Sequence, residues 1–576
     1  MSLARTVLLA GLFIAGFAAT AAAQVELKHR WVYLQTNLLV DKNVDETIDL
    51  LTRAAKAHYN GAMIADYKFS VLDKQDAKYF ANLKRVIDAA AGLKMELIPS
   101  VFSIGYSGGL LAHDRNLAAA MPVRNAPFIV RGGKIVPDET ITLNNGDFEQ
   151  LGAGRRATQF AGWDFQDPVV KPSSTVVHSG KLSAEMTDIG TADPKNGHGR
   201  ICQALAVQPG RYYHLSVWIK TKDFERAGDA RVQVLTEGQA EGLPASLNQQ
   251  DLRLTKTADW AQYHIWFHTL SATKVRIYLG VWGGKGGSIW WDDVRIEPAG
   301  FFSVVRRPGC PLKVASADGK TEYEEGKDFS KVEDRMLGQG GYSVWHDPTP
   351  VTLPAGSRLR EGDKLAISYY TAVVVGDAQV PCELTEPKVY DLLADEFKRV
   401  NEAFGPAAAG YMMQFDEIRV ANWDAISDAK GWTAGQWLAE AARRCQKIIR
   451  DGRPGTPIYV WNDMFDPAHN AHDKYYLVKD TWAESWLGLD KDTVIVNWYY
   501  EKRDVNLKWF ADRGHKQILA GYYDSDPSRI TTWLQAADNL KVPGVVGVMY
   551  TTWQHNFSDL EKFSKCVDEF LDAKKK

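Results

Sequence analysis

The run GYMMQFDEIRV, residues 410–420, is apolar and β-prone through Phe415 and then stops at two adjacent acids, Asp416 and Glu417. Short apolar strands of the same kind recur on both sides of it. Downstream lie TPIYVWNDMF (456–465), DTVIVNWYY (492–500), KQILAGYYDS (516–525) and GVVGVMYTTW (544–553), with helix-like sequence between each and the next. Upstream lie WVYLQTNLLV (31–40), GAMIADYKFS (61–70) and MELIPSVFS (95–103), separated by amphipathic helices over DETIDLLTRAAKAHY and ANLKRVIDAAAGL. Strands that alternate with helices predict parallel βα units. Three before a long interruption and five after it add up to an α/β fold, an eight-stranded (β/α)8 TIM barrel. A helix entering the second part is marked by Thr385 as N-cap, Glu386 and Pro387 in the first turn, and apolar periodicity to Phe404.

The interruption has a different texture. From about Ile141, turns rich in Gly, Asn and Thr separate short alternating strands, with no helical pattern until the 380s. LNNGDFEQ opens this block, AGWDF, HSGKLSAEM, YYHLSVWIKT and DWAQYHIWFHT lie inside it, and SIWWDDVRIEP (288–298) closes it. Such a pattern predicts an antiparallel β-sandwich of the jelly-roll type. The opening NGDFE, the internal GW and SGK and the closing WDDV resemble carbohydrate-binding modules of the galactose-binding-like superfamily. That resemblance implies a structural calcium between the opening turn and the closing strand, with Asp147, Glu149, Asp292 and Asp293 as its oxygen ligands. A further β-rich stretch, 301–380, is expected to pack the insertion against the barrel. The expected divisions are therefore a signal peptide (1–23), the first part of the barrel with strands 1–3 (24–138), the sandwich (139–300), the linking segment (301–380) and the second part of the barrel with strands 4–8 (381–576).

The expected signal peptide rests on Arg5, the apolar stretch Val7 to Ala18 and the small residues Ala21 to Ala23, and it implies a secreted or periplasmic protein. The apolar run is short for a membrane span, and no later stretch approaches about twenty apolar residues. The 576 residues exceed one ordinary core, which calls for two or three domains. A formal net charge of −3 provides no basic field for a phosphate backbone, so nucleic acid is not an expected partner. The five cysteines include no CxxC pair, and no HExxH, GxSxG or phosphate-loop context is present, so no cofactor is expected for catalysis. The less usual feature is the aromatic content: 19 Trp, 23 Tyr and 22 Phe. Aromatic faces suit both large cores and the apolar C–H faces of sugar rings.

Barrel active sites form where strands end at their C-terminal side. Here those ends carry polar and aromatic residues: Asp66 on strand 2; Trp461 and Asp463 on strand 5; Trp498 and Tyr500 on strand 6; Tyr523 and Asp524 on strand 7; Trp553 and Gln554 on strand 8. His113 follows strand 3 and is an expected sugar contact. Asp416 and Glu417 close strand 4. Successive side chains in a strand face opposite ways, but at a loosened terminus both acids can lean into the mouth. The competing structural expectation is that Asp416 caps the following turn and Glu417 pairs with Arg419.

Ordinary retaining glycosidases set two carboxyl groups about 5–5.5 Å apart across the sugar, and inverting ones set them wider, a geometry poorly served by sequence neighbours. Substrate-assisted hydrolysis of a 2-acetamido glycoside differs, because the acetamido oxygen itself attacks the anomeric carbon. The protein then needs one acid at the glycosidic oxygen and one carboxylate at the acetamido N–H, sites within reach of consecutive residues.

The Asp-Glu end of strand 4, the Trp- and Tyr-rich ends of strands 5–8 and the terminal GVMYTTW strand resemble the retaining β-N-acetylhexosaminidases, glycoside hydrolase families 20 and 123. The resemblance implies that Asp416 orients the acetamido group and that Glu417 is general acid and then base. It also implies an acetamido pocket walled by Trp461, Trp498 and Trp553, with Tyr500 or Tyr523 holding the carbonyl oxygen. Family 20's HxGGDE is absent, strand 1 does not offer the usual sugar-binding Arg, and Gln554 stands where a Glu is common, which leans the expected sugar toward N-acetylgalactosamine. The partner expected is a glycan containing a 2-acetamido sugar, cleaved from its end. For catalysis at neutral pH Glu417 must stay protonated, and an adjacent ionised Asp416 is expected to raise it. Two alternatives stand beside this: a two-carboxylate retaining glycosidase of the cellulase superclan, with Glu417 as acid/base and Asp524 or Asp463 as its partner, and a non-catalytic polysaccharide-binding protein.

Overall fold

The computed structural model describes residues 27–237, 244–248, 250–376 and 379–575. The expected signal peptide, 1–23, lies outside them. Eight strands close a barrel: β1 (His29–Gln35), β2 (Gly61–Ala65), β3 (Glu96–Val101), β4 (Tyr411–Met413), β5 (Ile458–Trp461), β6 (Val494–Asn497), β7 (Gln517–Ala520) and β8 (Val545–Tyr550). Every neighbouring pair is parallel, including the closing pair of β1 and β8. The strands read as nearly unbroken apolar runs because both faces are covered. Trp31, Tyr33, Met63, Ile98, Met412, Tyr459, Trp461, Val496, Ile518 and Met549 fill the interior. Their neighbours Val32, Leu34, Ile64, Leu97, Tyr411, Met413 and Val460 face the surrounding helices. The barrel is therefore a filled core, and any ligand must sit at its rim.

Among the described residues, seven helices of nine residues or more surround it: α1 (Asp41–Lys56), α2 (Ala77–Gly92), α3 (Pro387–Phe404), α4 (Ala434–Gly452), α5 (Arg503–Ala511), α6 (Arg529–Asn539) and α7 (Leu560–Lys575). The helix-like segment expected between β5 and β6 is instead a long irregular connection with two 3-10 turns, Asp463–Phe465 and Ser485–Gly488. Its Pro467 and its Asn- and Asp-rich start favour turns over a continuous helix. At the start of α3, Glu386 occupies the N-cap position with Pro387 first in the helix, and the Thr385 hydroxyl donates to Asp424 Oδ2 at 2.6 Å rather than capping.

The interruption lies between β3 and α3. Its sandwich consists of a five-stranded antiparallel sheet (Ala258–His268, Tyr212–Lys222, Ser288–Pro298, Ser183–Thr187, Val170–Ser173) facing a four-stranded one (Ala230–Thr236, Lys274–Trp282, His198–Ala206, Phe165–Gln166). Leu215, Val217, Ile265, Ile277, Leu279 and Trp291 pack between the sheets. A six-stranded sheet joins this sandwich to the barrel. Residues 120–137, placed with the barrel by the sequence reading, belong to it: Ala120–Arg131 pairs with Lys364–Ala372 on one side and Lys134–Pro137 on the other. Trp345 seals the junction by stacking on His214, ring centroids 3.5 Å apart and 6° from parallel.

The outgoing and returning chains of the insertion run side by side over the barrel mouth. The Ala119 amide donates to Pro381 O at 2.8 Å, the Glu383 amide to Leu117 O at 2.8 Å, and the Ser107 amide to Val380 O at 3.0 Å. Beneath them the buried Arg307 meets Glu383 at 2.8 Å, Glu386 at 3.5 Å and Asp424 at 3.6 Å, tying the linking segment to α3 and to the loop after β4. All five cysteines are free thiols, and no helix of the described residues is long and apolar enough to cross a membrane.

Candidate active site

A cavity of about 1270 Å³ opens at the C-terminal end of the barrel. Asp416 and Glu417 both line it, together with Trp461, Trp498, Tyr523 and Trp553. The two acids share one side because Glu417 has a left-handed backbone, φ 50°, which breaks the alternation of a strand. Several bonds fix this uncommon conformation. The Glu417 amide donates to Asp463 Oδ2 at 2.9 Å, and Gln379 Nε2 donates to Glu417 O at 2.5 Å. Gly105 passes so close that a Cβ there would lie 2.1 Å from Asp416 O, so only glycine fits.

The two carboxyls have different surroundings. Asp416 opens to the cavity on one side and is enclosed by protein on the others. Burial first, and then the charge of Glu417, push its carboxyl up to about 7. Glu417 Oε2 accepts from the Tyr106 hydroxyl and meets Arg419 Nη2 at 2.8 Å. The Glu417–Arg419 pair that the sequence also allowed is present. It does not draw Glu417 out of the cavity.

The aromatic wall is continuous. Tyr33 stands edge-on to Trp461 and Trp553, with centroids 5.5 and 5.2 Å away. Tyr523 lies 5.9 Å from Trp553 and stacks on Trp498 at 5.1 Å, 5° from parallel. Behind Trp498, His469 stacks on Tyr499 at 4.1 Å, and burial pushes its imidazole down to about 3. Of the two tyrosines expected to offer a hydroxyl, Tyr523 lines the cavity. Tyr500 lies in the outer layer, its ring covered by Arg503 and Arg529 at 4.7 and 4.6 Å.

Other expected residues are present but committed elsewhere. Asp463 is fully buried under the pair, holding the Glu417 amide and Asn470 Nδ2 (3.0 Å), and burial raises its carboxyl. Asp524 accepts from the Thr552 hydroxyl and from the amides of Trp553 (2.6 Å) and Gln554 (3.3 Å), and so shapes the loop after β8. Gln554 is exposed and, like Asp524, is not part of the cavity wall. Asp66 walls the cavity with its oxygens engaged by the Leu38 amide, the Lys68 amide and the Tyr79 hydroxyl. His113 lies away from the cavity, its Nε2 2.8 Å from Ser70 O. Sequence reading placed Tyr67 with Asp66 at the end of strand 2 and missed Tyr33 and Tyr106 as site residues; Tyr106 lies in the loop after β3, and that position was the available signal.

In the sandwich, Asp292 Oδ2 accepts the amides of His178 (2.9 Å) and Ser179 (3.3 Å), Asp293 Oδ2 lies 2.6 Å from His178 Nδ1, and Glu149 Oε1 accepts the amides of Lys181 and Leu182. These acids hold the loop at 178–182, while Asp147 is exposed. Among the described residues, no group of three or more His, Cys, Asp or Glu is arranged to hold a metal ion, so the expected calcium ligands do not converge.

Residues 141–286 match the family model described as a carbohydrate binding domain. No curated protein matches the chain. Similar solved structures include a family 16 carbohydrate binding module, 19% identical over 24% of this chain and 91% of that one, with a TM-score of 0.19. Two others span 94% of this chain at 10% identity. They are a rhamnosidase from Novosphingobium sp. PP1Y (58% of that chain, TM-score 0.33) and a glycoside hydrolase family 20 beta-N-acetylglucosaminidase (69% of that chain, TM-score 0.35). Likeness at these scores carries no functional weight.

Proposed function

We propose that this protein is an exported glycoside hydrolase that cleaves β-linked 2-acetamido sugars by substrate-assisted, retaining catalysis. The observation that carries the reading is the consecutive pair Asp416 and Glu417 on the wall of an aromatic cavity, with the alternative partners Asp463 and Asp524 bound to backbone amides. A two-carboxylate mechanism needs a facing carboxyl across the sugar, and both candidates for that role are engaged elsewhere. A carbohydrate binding domain in the same chain fits a glycan substrate.

In the proposed reaction the acetamido oxygen attacks the anomeric carbon, and the bond to the leaving oxygen breaks as that oxygen takes a proton from Glu417. Asp416 accepts the acetamido N–H. At rest the burial of Asp416 favours a proton on it. An N–H donated by the sugar favours its carboxylate instead, so substrate binding shifts the shared proton toward Glu417. Water then opens the oxazolinium with Glu417 as base, and configuration is retained. Tyr523 is the hydroxyl placed to hold the acetamido carbonyl oxygen.

Turnover of 4-nitrophenyl β-glycosides of N-acetylglucosamine, N-acetylgalactosamine, glucose and galactose tests the reading. Hydrolysis of an acetamido sugar with tight inhibition by its thiazoline analogue is expected; N-acetylgalactosamine is the favoured sugar. Turnover of glucosides or galactosides without thiazoline inhibition would replace this mechanism with the two-carboxylate one.

A further inference from the structure

Two rings at the cavity are left open to solvent. Tyr67 is 67% exposed and Tyr106 is 41% exposed, whereas Tyr33 and Trp461 on the same wall are buried. Neither exposed ring is loose. The ammonium of Lys68 sits 4.0 Å from the centroid of the Tyr67 ring, and Lys68 is itself buried, donating to Asn37 Oδ1 at 2.6 Å. Burying a lysine is costly, and here its position braces one face of a ring whose remaining surface is exposed at the cavity. Tyr106 is fixed at its tip by the bond to Glu417 and at its backbone, where Ser103 Oγ donates to Tyr106 O at 3.1 Å. Its loop is held in turn by Ser107 Oγ, which accepts the Cys382 amide at 2.9 Å. Two immobilised, solvent-facing aromatic rings thus line the cavity on the opposite strands from the Trp498–Tyr523 stack, Tyr106 in contact with the proton donor and Tyr67 at the end of the neighbouring strand.

The proton from Glu417 goes to the oxygen that departs, so whatever stands next to Glu417 outside the acetamido pocket stands next to the leaving group. We propose that Tyr67 and Tyr106 form a leaving-group platform, on which the sugar attached through the scissile oxygen lays its apolar C–H face, making a saccharide the preferred leaving group. This rests on the proposed hydrolase reading. An exposed, braced ring costs little further side-chain entropy when it stacks, so it can contribute binding. The contact is made with the departing residue alone.

The test compares kcat/KM for β-linked N-acetylglucosaminyl and N-acetylgalactosaminyl disaccharides with that for the corresponding methyl glycosides, which have no second ring. In Tyr67→Ala the disaccharide-to-methyl ratio is expected to fall roughly tenfold, and Tyr67→Phe is expected to restore it. Tyr106→Phe keeps the ring and loses the hydroxyl, so both substrates should slow together, with a displaced pH profile and an unchanged ratio. An unchanged ratio in Tyr67→Ala overturns the platform while leaving the hydrolase reading intact. If the protein hydrolyses none of these compounds, the hydrolase reading fails, and calorimetric titration of the same disaccharides still decides: weaker binding by Tyr67→Ala than by the wild type supports the platform, and equal or no binding overturns it.

Discussion

The chain carries two adjacent acid pairs, Asp416–Glu417 just past barrel strand β4 and Asp292–Asp293 at an irregularity within the sandwich strand Ser288–Pro298, and the two pairs share more than sequence. In each, the second acid has a left-handed backbone, φ 50° at Glu417 and 46° at Asp293. In each, burial raises the first carboxyl, Asp416 to about 7 and Asp292 to about 6. The difference lies in what they face. Asp292 and Asp293 are surrounded by amides and His178, so their lone pairs are spent on holding a loop. Asp416 and Glu417 line an open cavity, and among the described residues Glu417's second oxygen, Oε1, meets no protein donor. An adjacent acid pair whose second residue has a left-handed backbone is therefore a way to aim two carboxyls one way, and the facing space decides between structure and chemistry.

The largest expected effects separate the pairs by activity. Glu417→Gln should lower kcat/KM for methyl glycosides by about 10²–10⁴-fold while sparing activated aryl glycosides, because only a poor leaving group needs the proton. Asp416→Asn should slow both substrate types by about 10²–10³-fold. Asp293→Asn should leave aryl glycoside turnover at the wild-type rate; a loss there comparable to that of Asp416→Asn would erase the distinction drawn here.

Stability should separate them in the other direction. Asp292→Ala strands the amides of His178 and Ser179 and should cost about 1–3 kcal/mol, read as a lower denaturation midpoint. Asp416→Asn removes a carboxyl that the fold prefers protonated. Because Asp416 titrates higher folded than unfolded, the native state binds the extra proton between pH 4 and 7, and wild-type stability falls as pH rises through that window. The variant's advantage should therefore grow from pH 4 to 7, with a slope on the order of 1 kcal/mol per pH unit, and then level off. A variant less stable than wild type at pH 8 would contradict the burial described for Asp416. The smallest effect concerns Arg419. Arg419→Gln removes a cation that lowers the Asp416 carboxyl, so the limb of the kcat/KM profile set by Asp416 should move up by on the order of one pH unit.

The barrel was legible because its strands are covered on both faces and read as uninterrupted apolar runs, so all eight, from WVYL at 31–34 to VVGVMY at 545–550, were found where they lie. The boundary with the insertion was not. The strand from Ala120 precedes the change of texture at Ile141 and was therefore kept with the barrel, although Gly132 and Gly133, both with positive φ between Arg131 and Lys134, form a two-residue hairpin turn that parallel βα units do not use. The acid pair was legible from its place in the strand. Its electrostatics were not, since the enclosure of Asp416 and the reach of Tyr106 depend on segments more than 300 residues away in sequence. Asp463 and Asp524 illustrate the same gap: strand-end carboxylates look alike in sequence, and only their amide partners mark them as structural.

The two stems of the insertion bear on any attempt to exchange its modules. Tyr106 and Gly105 belong to the outgoing stem and Gln379 to the returning one, and all three touch the Asp416–Glu417 turn. Swapping the sandwich as a cassette cut close to the barrel would carry away part of the wall around Asp416 and Glu417. Splice points after Pro137 and before Gly300, at the ends of the sandwich itself, would leave that wall, the six-stranded sheet and the Arg307 ion pairs in place and let new glycan-recognition modules be grafted above an unaltered candidate site.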